Sequence, residues 1–248
     1  MKLLKKFKNS NVIFENYPKK INENYTKDQS SLIINHFKRL QNIEKKYFKK
    51  FCYKNKKYLN KKTIFEIKKG KINSNYFLNK IKKVRPDLIV LNATSILSKK
   101  FIKSFKGIII NIHAGLIPYY RGAGCNVWTF YNKELEYTGV TIHFVNELID
   151  DGKIILQSQS KFIKTDNTHT IGCKNAKLSA KLSIEAIKYL QQNPKYKGKK
   201  IFSKKSNIFY KKDFNKKIIS KINIMIQKGL VKNYCLNKKK IKIIKLVN

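Results

Sequence analysis

The 248-residue chain has no apolar run near the roughly 20 residues that a membrane-spanning helix needs. Its longest clean stretches are short, such as residues 88–91 and 108–110. The opening MKLLKKFKNS has a basic flank but lacks the apolar stretch of about 7–15 residues that would make it a secretory signal, so a cytoplasmic location is expected. Its four cysteines, Cys52, Cys125, Cys173 and Cys235, are widely spaced and form no C-x-x-C pair. That spacing excludes zinc-ribbon and disulfide-framework readings and leaves reduced, mostly buried thiols. Acidic residues are scarce, 14 against 56 basic ones, for a formal net charge of +42. Arginine is scarcer still. Only Arg39, Arg85 and Arg121 are present, although arginine is the usual choice for bidentate phosphate recognition. Lysine beside abundant isoleucine and asparagine fits compositional drift at solvated positions as well as a selected polyanion surface, and both readings stay open.

What the chain does have is enough apolar residue, 42%, spread along its whole length, to build a core without metal or disulfide. Its charge is unevenly placed. Residues 1–85 carry a net +20 and residues 195–248 a net +17, whereas residues 107–152 carry a net −3. That quiet window also holds six of the ten glycines and the single tryptophan, Trp128. A charge-poor, glycine-rich window points to a constrained backbone around a site.

Periodicity gives strands near 11–15, 63–67, 87–92, 107–112, 138–145 and 153–157. It gives helices near 28–51, 73–83, 98–105, 125–131, 168–192 and 215–228. DLIVLN and GIIINI are almost continuously apolar, as strands covered on both faces should be. Strands alternating with helices predict an α/β fold, a Rossmann-like, mostly parallel sheet with flanking helices. Thr165, Asp166 and Asn167 offer cap chemistry before the fifth helix, and Pro194 lies just beyond its end. The last stretch, KKKIKIIKLVN, reads as an edge strand or a weak basic surface segment. The expected organisation is a catalytic domain over residues 1–193 and a Lys-rich extension over 194–248.

Asn111 and His113 lie two apart at the carboxyl end of GIIINIH, so their side chains share a face. Ligands bind at that end of open α/β sheets. A turn-rich stretch, AGLIPYYRG, follows. The strand GVTIHFV then leads to ELIDDG and back into the sheet as KIILQ. An amide donor, an imidazole and a carboxylate on post-strand loops suit acyl transfer, two groups holding a developing oxyanion while the third moves a proton. Each has a plainer reading: Asn111 as a strand-end cap, His113 as a hydrogen-bonded loop histidine. His143, mid-strand with the other parity, reads as structural or pocket-lining, Trp128 as core, and His36 and His169 carry no metal-ligand spacing. The helical stretch INHFKRLQNIEKKYF reads as core or as a wall of the acceptor site.

NIHAGLIPYYRGAG followed by TGVTIHFVNELIDDGKIILQ resembles the folate-dependent formyltransferase family: Asn-x-His, a Leu-x-Pro turn, Arg-Gly, Gly-x-Thr, then Ile-Asp-x-Gly. PDLIVLNATSILSKKFIKSFKG resembles the family strand and loop that help to hold the pteridine. The resemblance is dense over residues 85–157. It implies 10-formyltetrahydrofolate as donor, a primary amine as acceptor and no metal. By the same resemblance Asn111 bonds the formyl oxygen, His113 stabilises the oxyanion, and Asp150, rather than Asp151, manages the amine proton through a water. It places Leu91, Ile96, Leu97, Val145, Glu147 and Ile149 toward the donor and Gly115, Arg121 and Gly122 toward the acceptor. Arg121 reads equally well as a turn-stabilising guanidinium.

The chain departs from that pattern in several places. No glycine precedes Gly70, so a Gly-rich first β–α turn for a substrate phosphate is absent. NVIFENY reads as the fold's second strand, leaving the first β–α unit missing. Ala114-Gly115 stands where Pro-Ser is common, and one extra residue sits between Gly122 and Gly139. The stretch after Pro194 is short for the oligonucleotide-binding-type barrel that methionyl-tRNA formyltransferases add. The expectation is therefore formylation of a small amine, glycinamide-ribonucleotide-like or an amino sugar. A tRNA acceptor and a non-catalytic, polyanion-binding remnant are the alternatives.

Overall fold

In the computed structural model, residue 7 and residues 10–16, 30–55 and 64–246 are described. The chain runs β1 (Val12–Asn16), α1 (Ser31–Asn55), β2 (Ile64–Lys68), α2 (Asn75–Val84), β3 (Leu88–Asn92), α3 (Lys99–Ser104) and β4 (Ile108–His113). It continues through β5 (Tyr120–Gly122), α4 (Cys125–Tyr131), β6 (Gly139–Phe144), β7 (Ile154–Gln159), α5 (Thr168–Gln192), β8 (Asn207–Phe209), α6 (Lys216–Gln227) and α7 (Leu230–Leu236). This is the expected α/β architecture, with parallel pairings and flanking helices. The central sheet has the order β3-β4-β6-β7. Strands β3 and β4 are parallel, while β6 and β7 are antiparallel to their neighbours. The segment read as the fold's second strand is β1, which pairs in parallel with β2, Val12 opposite Ile64.

Both faces of the central sheet are covered, which is why β3 and β4 read as unbroken apolar runs. Leu91 and Ile109 pack on one side with Phe77, Leu78 and Ile81 of α2 and Phe101 of α3. Ile110, Val140 and Ile142 pack on the other with Leu182, Ala186, Ile187 and Leu190 of α5. Of the three candidates for the α5 cap, Asn167 takes the role. Its side chain accepts from the backbone N–H groups of His169 and Thr170 at 2.9 and 3.0 Å, and the Thr170 hydroxyl accepts from Asn167 N–H at 3.0 Å. This reciprocal pair satisfies donors that a helix start otherwise leaves open.

Residues beyond Pro194 build back onto the body of the fold. Strand β8 pairs in parallel with β5. Ile218, Ile222 and Met225 of α6 join a cluster with Leu116, Trp128 and Phe130. The tail expected as an edge strand forms none over the described residues up to 246. It is held chiefly at Ile244, which accepts from Gln157 N–H at 2.8 Å and donates to the Gln157 side-chain oxygen at 3.2 Å, while the Lys242 carbonyl accepts from the Tyr119 hydroxyl at 3.5 Å and Ile241 and Ile243 pack on the core. With lysine at most flanking positions, only Ile244 is deeply buried, so the docking stays local.

Helix α1 is seated partly by a histidine pair. His36 Nδ1 lies 3.1 Å from His169 Nε2, against Phe37 and Phe214. Burial, then the charges of His169 and Arg39, lowers the His36 pKa to about 4. The unfolded chain therefore takes up a proton there that the folded chain refuses between pH ~6.5 and ~4. Stability from this group is complete above pH ~6.5 and is lost as pH falls toward 4, by on the order of 3 kcal/mol. Urea unfolding at pH 7 and pH 4.5 should show the loss in the wild type and a smaller one in His36→Phe.

Candidate active site

Alternation along β4 places Asn111 and His113 on one face, as their spacing requires. The antiparallel register then puts His143 of β6 directly opposite Asn111, so a second imidazole shares that face. The loop leaving β6 brings in Asp150, whose φ of 44° is left-handed, a conformation seldom adopted by a non-glycine residue. Arg121 holds this turn from outside. Its Nε and Nη2 donate to the Ile149 carbonyl at 2.9 and 2.6 Å, and Nη1 lies 3.5 Å from Asp151.

Asp150 is the hub. Oδ1 accepts from Asn111 Nδ2 at 3.0 Å and lies 3.4 Å from His143 Nε2. Oδ2 accepts from Gly122 N–H at 2.9 Å and lies 3.2 Å from His113 Nδ1. Burial is the largest single influence on this carboxyl and favours its neutral form. His113, His143 and the Gly122 N–H together outweigh it and hold the pKa well below the usual carboxylate range, so Asp150 is charged at neutral pH.

His113 sits between two acceptors, the Asp150 carboxylate on Nδ1 and the Tyr120 carbonyl 2.9 Å from Nε2. Burial pulls its pKa down against the upward pull of both, and the net direction is down. A neutral ring can protonate only one of its two nitrogens, so one acceptor lacks its hydrogen bond. The site thus contains an open proton position. His143 is oriented differently: its Nδ1 lies 2.8 Å from the Phe144 carbonyl, and its Nε2 stands 3.3 Å from Asn111 Nδ2 and 3.4 Å from Asp150 Oδ1. The sequence reading gave His143 the wrong parity because only the cross-strand register shows which face it shares.

Gly115 belongs to the seating of His113. A Cβ there would lie 2.6 Å from His113 Nε2 and 2.8 Å from Cys125 Cβ, so the Ala-Gly departure gives the ring its space. Gly122 contributes its N–H to Asp150, and Arg121 is engaged within the turn. Among the residues placed toward the donor, Leu91, Leu97 and Val145 meet in one apolar cluster below the loop at 93–98. Ile96 stands 70% exposed on that loop. Glu147 pairs with Lys99 and Lys103 at 3.1 and 3.4 Å, and Ile149 contributes its carbonyl to Arg121. The loop is fixed from beneath, because Asn73 accepts from Ser98 N–H at 2.7 Å and Glu15 accepts from Ser95 N–H at 2.6 Å. Neither support was visible in the sequence, where both are isolated polar residues far from the motifs.

The Formyl transferase family model matches residues 13–187, which includes every residue of this cluster. The chain belongs to the formyl transferase family. Among curated relatives, a methionyl-tRNA formyltransferase from Prochlorococcus marinus (strain MIT 9215) is 38% identical over 136 residues, 54% of this chain and 40% of that protein. One from Thermodesulfovibrio yellowstonii is 36% identical over 118 residues, 47% of this chain and 38% of that protein. The match therefore spans about two fifths of the length of these relatives. Among solved structures, a sugar N-formyltransferase from Shewanella sp FDAARGOS_354 superposes with a TM-score of 0.51 at 21% identity, covering 75% of both chains. A phosphoribosylglycinamide formyltransferase from Anaplasma phagocytophilum gives 0.51 at 19% identity over 63% of this chain and 78% of that one. These two establish the shared fold.

Proposed function

We propose that the chain transfers a formyl group from 10-formyltetrahydrofolate to the primary amine of a small acceptor, glycinamide-ribonucleotide-like or an amino sugar. The observation that carries this reading is the closure of Asn111, His113, His143 and Asp150 into one buried hydrogen-bonded cluster within the family match. Ile96, exposed on the loop whose Leu97 is anchored in the core beside Leu91 and Val145, offers an apolar contact for a flat heterocycle, as a pteridine is. The donor, when bound, supplies the activated formyl carbon. Asn111 Nδ2 is a fixed N–H donor for the oxygen on which charge develops, and a preorganised donor of this kind is worth about 10²–10³ in rate. His113 supplies a second polar contact. Its Nδ1 faces the ionised Asp150 Oδ2 at 3.2 Å, so the pair can take the proton that the attacking amine loses and pass it, through a water, to the folate nitrogen that leaves as the formyl C–N bond breaks. Asp150, kept ionised, holds that position open.

A tRNA acceptor is the second reading, favoured by the net +42 charge and by the names of the curated relatives. Formyl transfer to small amines and to aminoacylated tRNA, each assayed from 50 to 200 mM salt, separates the two. The small-acceptor reading predicts turnover with an amine that varies less than about threefold over this range. Turnover on tRNA alone, falling by a factor on the order of 10³ or more, would replace it.

A further inference from the structure

The catalytic loop is braced by a residue that lies outside the family match. Strand β8 pairs with β5 so that Phe209 lies opposite Gly122. Its carbonyl accepts from Ala123 N–H at 2.8 Å, and its backbone fills the space where a Gly122 Cβ would be, 2.2 Å from the Phe209 oxygen. The Phe209 ring is stacked between Tyr120 (5.3 Å, 15°) and Trp128 (4.8 Å, 14°). Tyr120 gives its carbonyl to His113, and Gly122 gives its N–H to Asp150. One residue therefore supports the two backbone groups that orient His113 and Asp150. The same loop is held from a second side, where the Tyr120 hydroxyl bonds Glu134 and Lys205 pairs with that carboxylate.

We propose that Phe209 is a positioning residue for formyl transfer, holding the β5 carbonyl and N–H that aim His113 and Asp150; this rests on the functional reading above. The segment after Pro194 is on this account part of the catalytic machinery. A ring of the same plane is required, because flat stacking on both sides fixes the height of the loop, and a misplacement of about 1 Å costs on the order of 100-fold in rate.

The test compares wild type with Phe209→Leu, which keeps apolar bulk, and Phe209→Tyr, which keeps the ring. Three quantities are measured: kcat with the best acceptor, calorimetric affinity for a non-hydrolysable 10-formyltetrahydrofolate analogue, and the ¹⁵N resonances of the His113 ring. Expected are a kcat lowered about 10- to 100-fold in Phe209→Leu, donor affinity within about twofold in both variants, displaced His113 resonances in Phe209→Leu, and recovery of kcat and resonances in Phe209→Tyr. Wild-type kcat and unmoved His113 resonances in folded Phe209→Leu would overturn the proposal. A parallel loss of kcat and donor affinity with unmoved resonances would also overturn it, since that describes general loosening. If the wild type formylates no acceptor, the functional reading fails by itself, and the resonances still decide whether Phe209 positions His113.

Discussion

Asp150→Asn is expected to lower formyl transfer by about three orders of magnitude and to leave the fold intact. The four groups around this carboxylate explain the size of the effect. Oδ1 faces the Asn111 amide and His143, and Oδ2 faces the Gly122 N–H and His113. An asparagine amide has a single acceptor oxygen, so in either orientation its NH₂ meets another N–H donor, Asn111 or Gly122. The lost and mismatched hydrogen bonds cost about 1–3 kcal/mol locally. More is lost in the chemistry on the proposed mechanism, because an uncharged side chain cannot hold the His113 ring ready to relay the amine proton, and a positioned acid–base group is typically worth about 10²–10⁴ in rate. The turn itself survives, since Arg121 bonds the Ile149 carbonyl independently of residue 150. Steady-state kinetics with circular dichroism on the same samples checks both halves. Because the Asp150 pKa is lowered in the folded state, its ionic contribution to stability is complete above the ordinary carboxylate pKa near 4 and is lost only in stronger acid. An acid limb of activity between pH 5 and 7 is therefore not assigned to it.

Gly152→Ala is the second large effect. The added methyl would stand 1.5 Å from the Phe144 carbonyl oxygen and 2.7 Å from its carbon, both backbone atoms that cannot swing aside. Relief requires the turn to move away from β6, carrying Asp150, two residues earlier, out of reach of Asn111. The same displacement crowds His143, whose Nδ1 is 3.0 Å from the new atom. Overpacking of this kind costs about 3 kcal/mol or somewhat more. For a chain of this size that lowers Tm by roughly 6–12 °C, with at least about a hundredfold loss of kcat. Gly172→Ala is the internal control. It lies within α5 with nothing within 4 Å of its would-be Cβ, and should raise stability by about 0.5–1 kcal/mol. Thermal unfolding of the two variants side by side should move in opposite directions.

These effects show where the sequence could be read and where it could not. Helices α4 and α5 have the bounds expected from pattern because each begins at an abrupt signal, Gly124 before one and the Asn167 capping box before the other. The pairing of Asn111 with His113 follows from strand alternation alone, and the Ile-Asp-x-Gly turn is a local motif. His143, Phe209 and Arg121 act through contacts that the one-dimensional pattern does not contain. His143 depends on an antiparallel register, and Phe209 on a parallel pairing between two three-residue strands whose partners are 87 positions apart. Strands that short show no periodicity, so β5 and β8 were absent from the sequence reading, as was α7. The lysine-rich tail misled in the opposite sense. Its alternation imitates a strand, but only Ile244 is deeply buried, and the tail's backbone bonds go to Gln157 and Tyr119 rather than along a strand ladder. The quiet window proved informative because the buried cluster around Asp150 and the close backbone approaches at Gly122 and Gly152 leave little room for lysines.

On the proposed function, the loops around Leu97 and Asp150 form a working site for a formyl-folate donor. Calorimetric titration of the full chain with a non-hydrolysable 10-formyltetrahydrofolate analogue at moderate salt tests it most directly, with Ile96→Asp as the comparison. Ile96 is 70% exposed, so its replacement leaves the core untouched. Saturable binding at one site per chain is expected, weakened about tenfold or more by the charge that Ile96→Asp would set against the ligand. A folded wild-type chain that does not bind, or that binds equally well after Ile96→Asp, would contradict it.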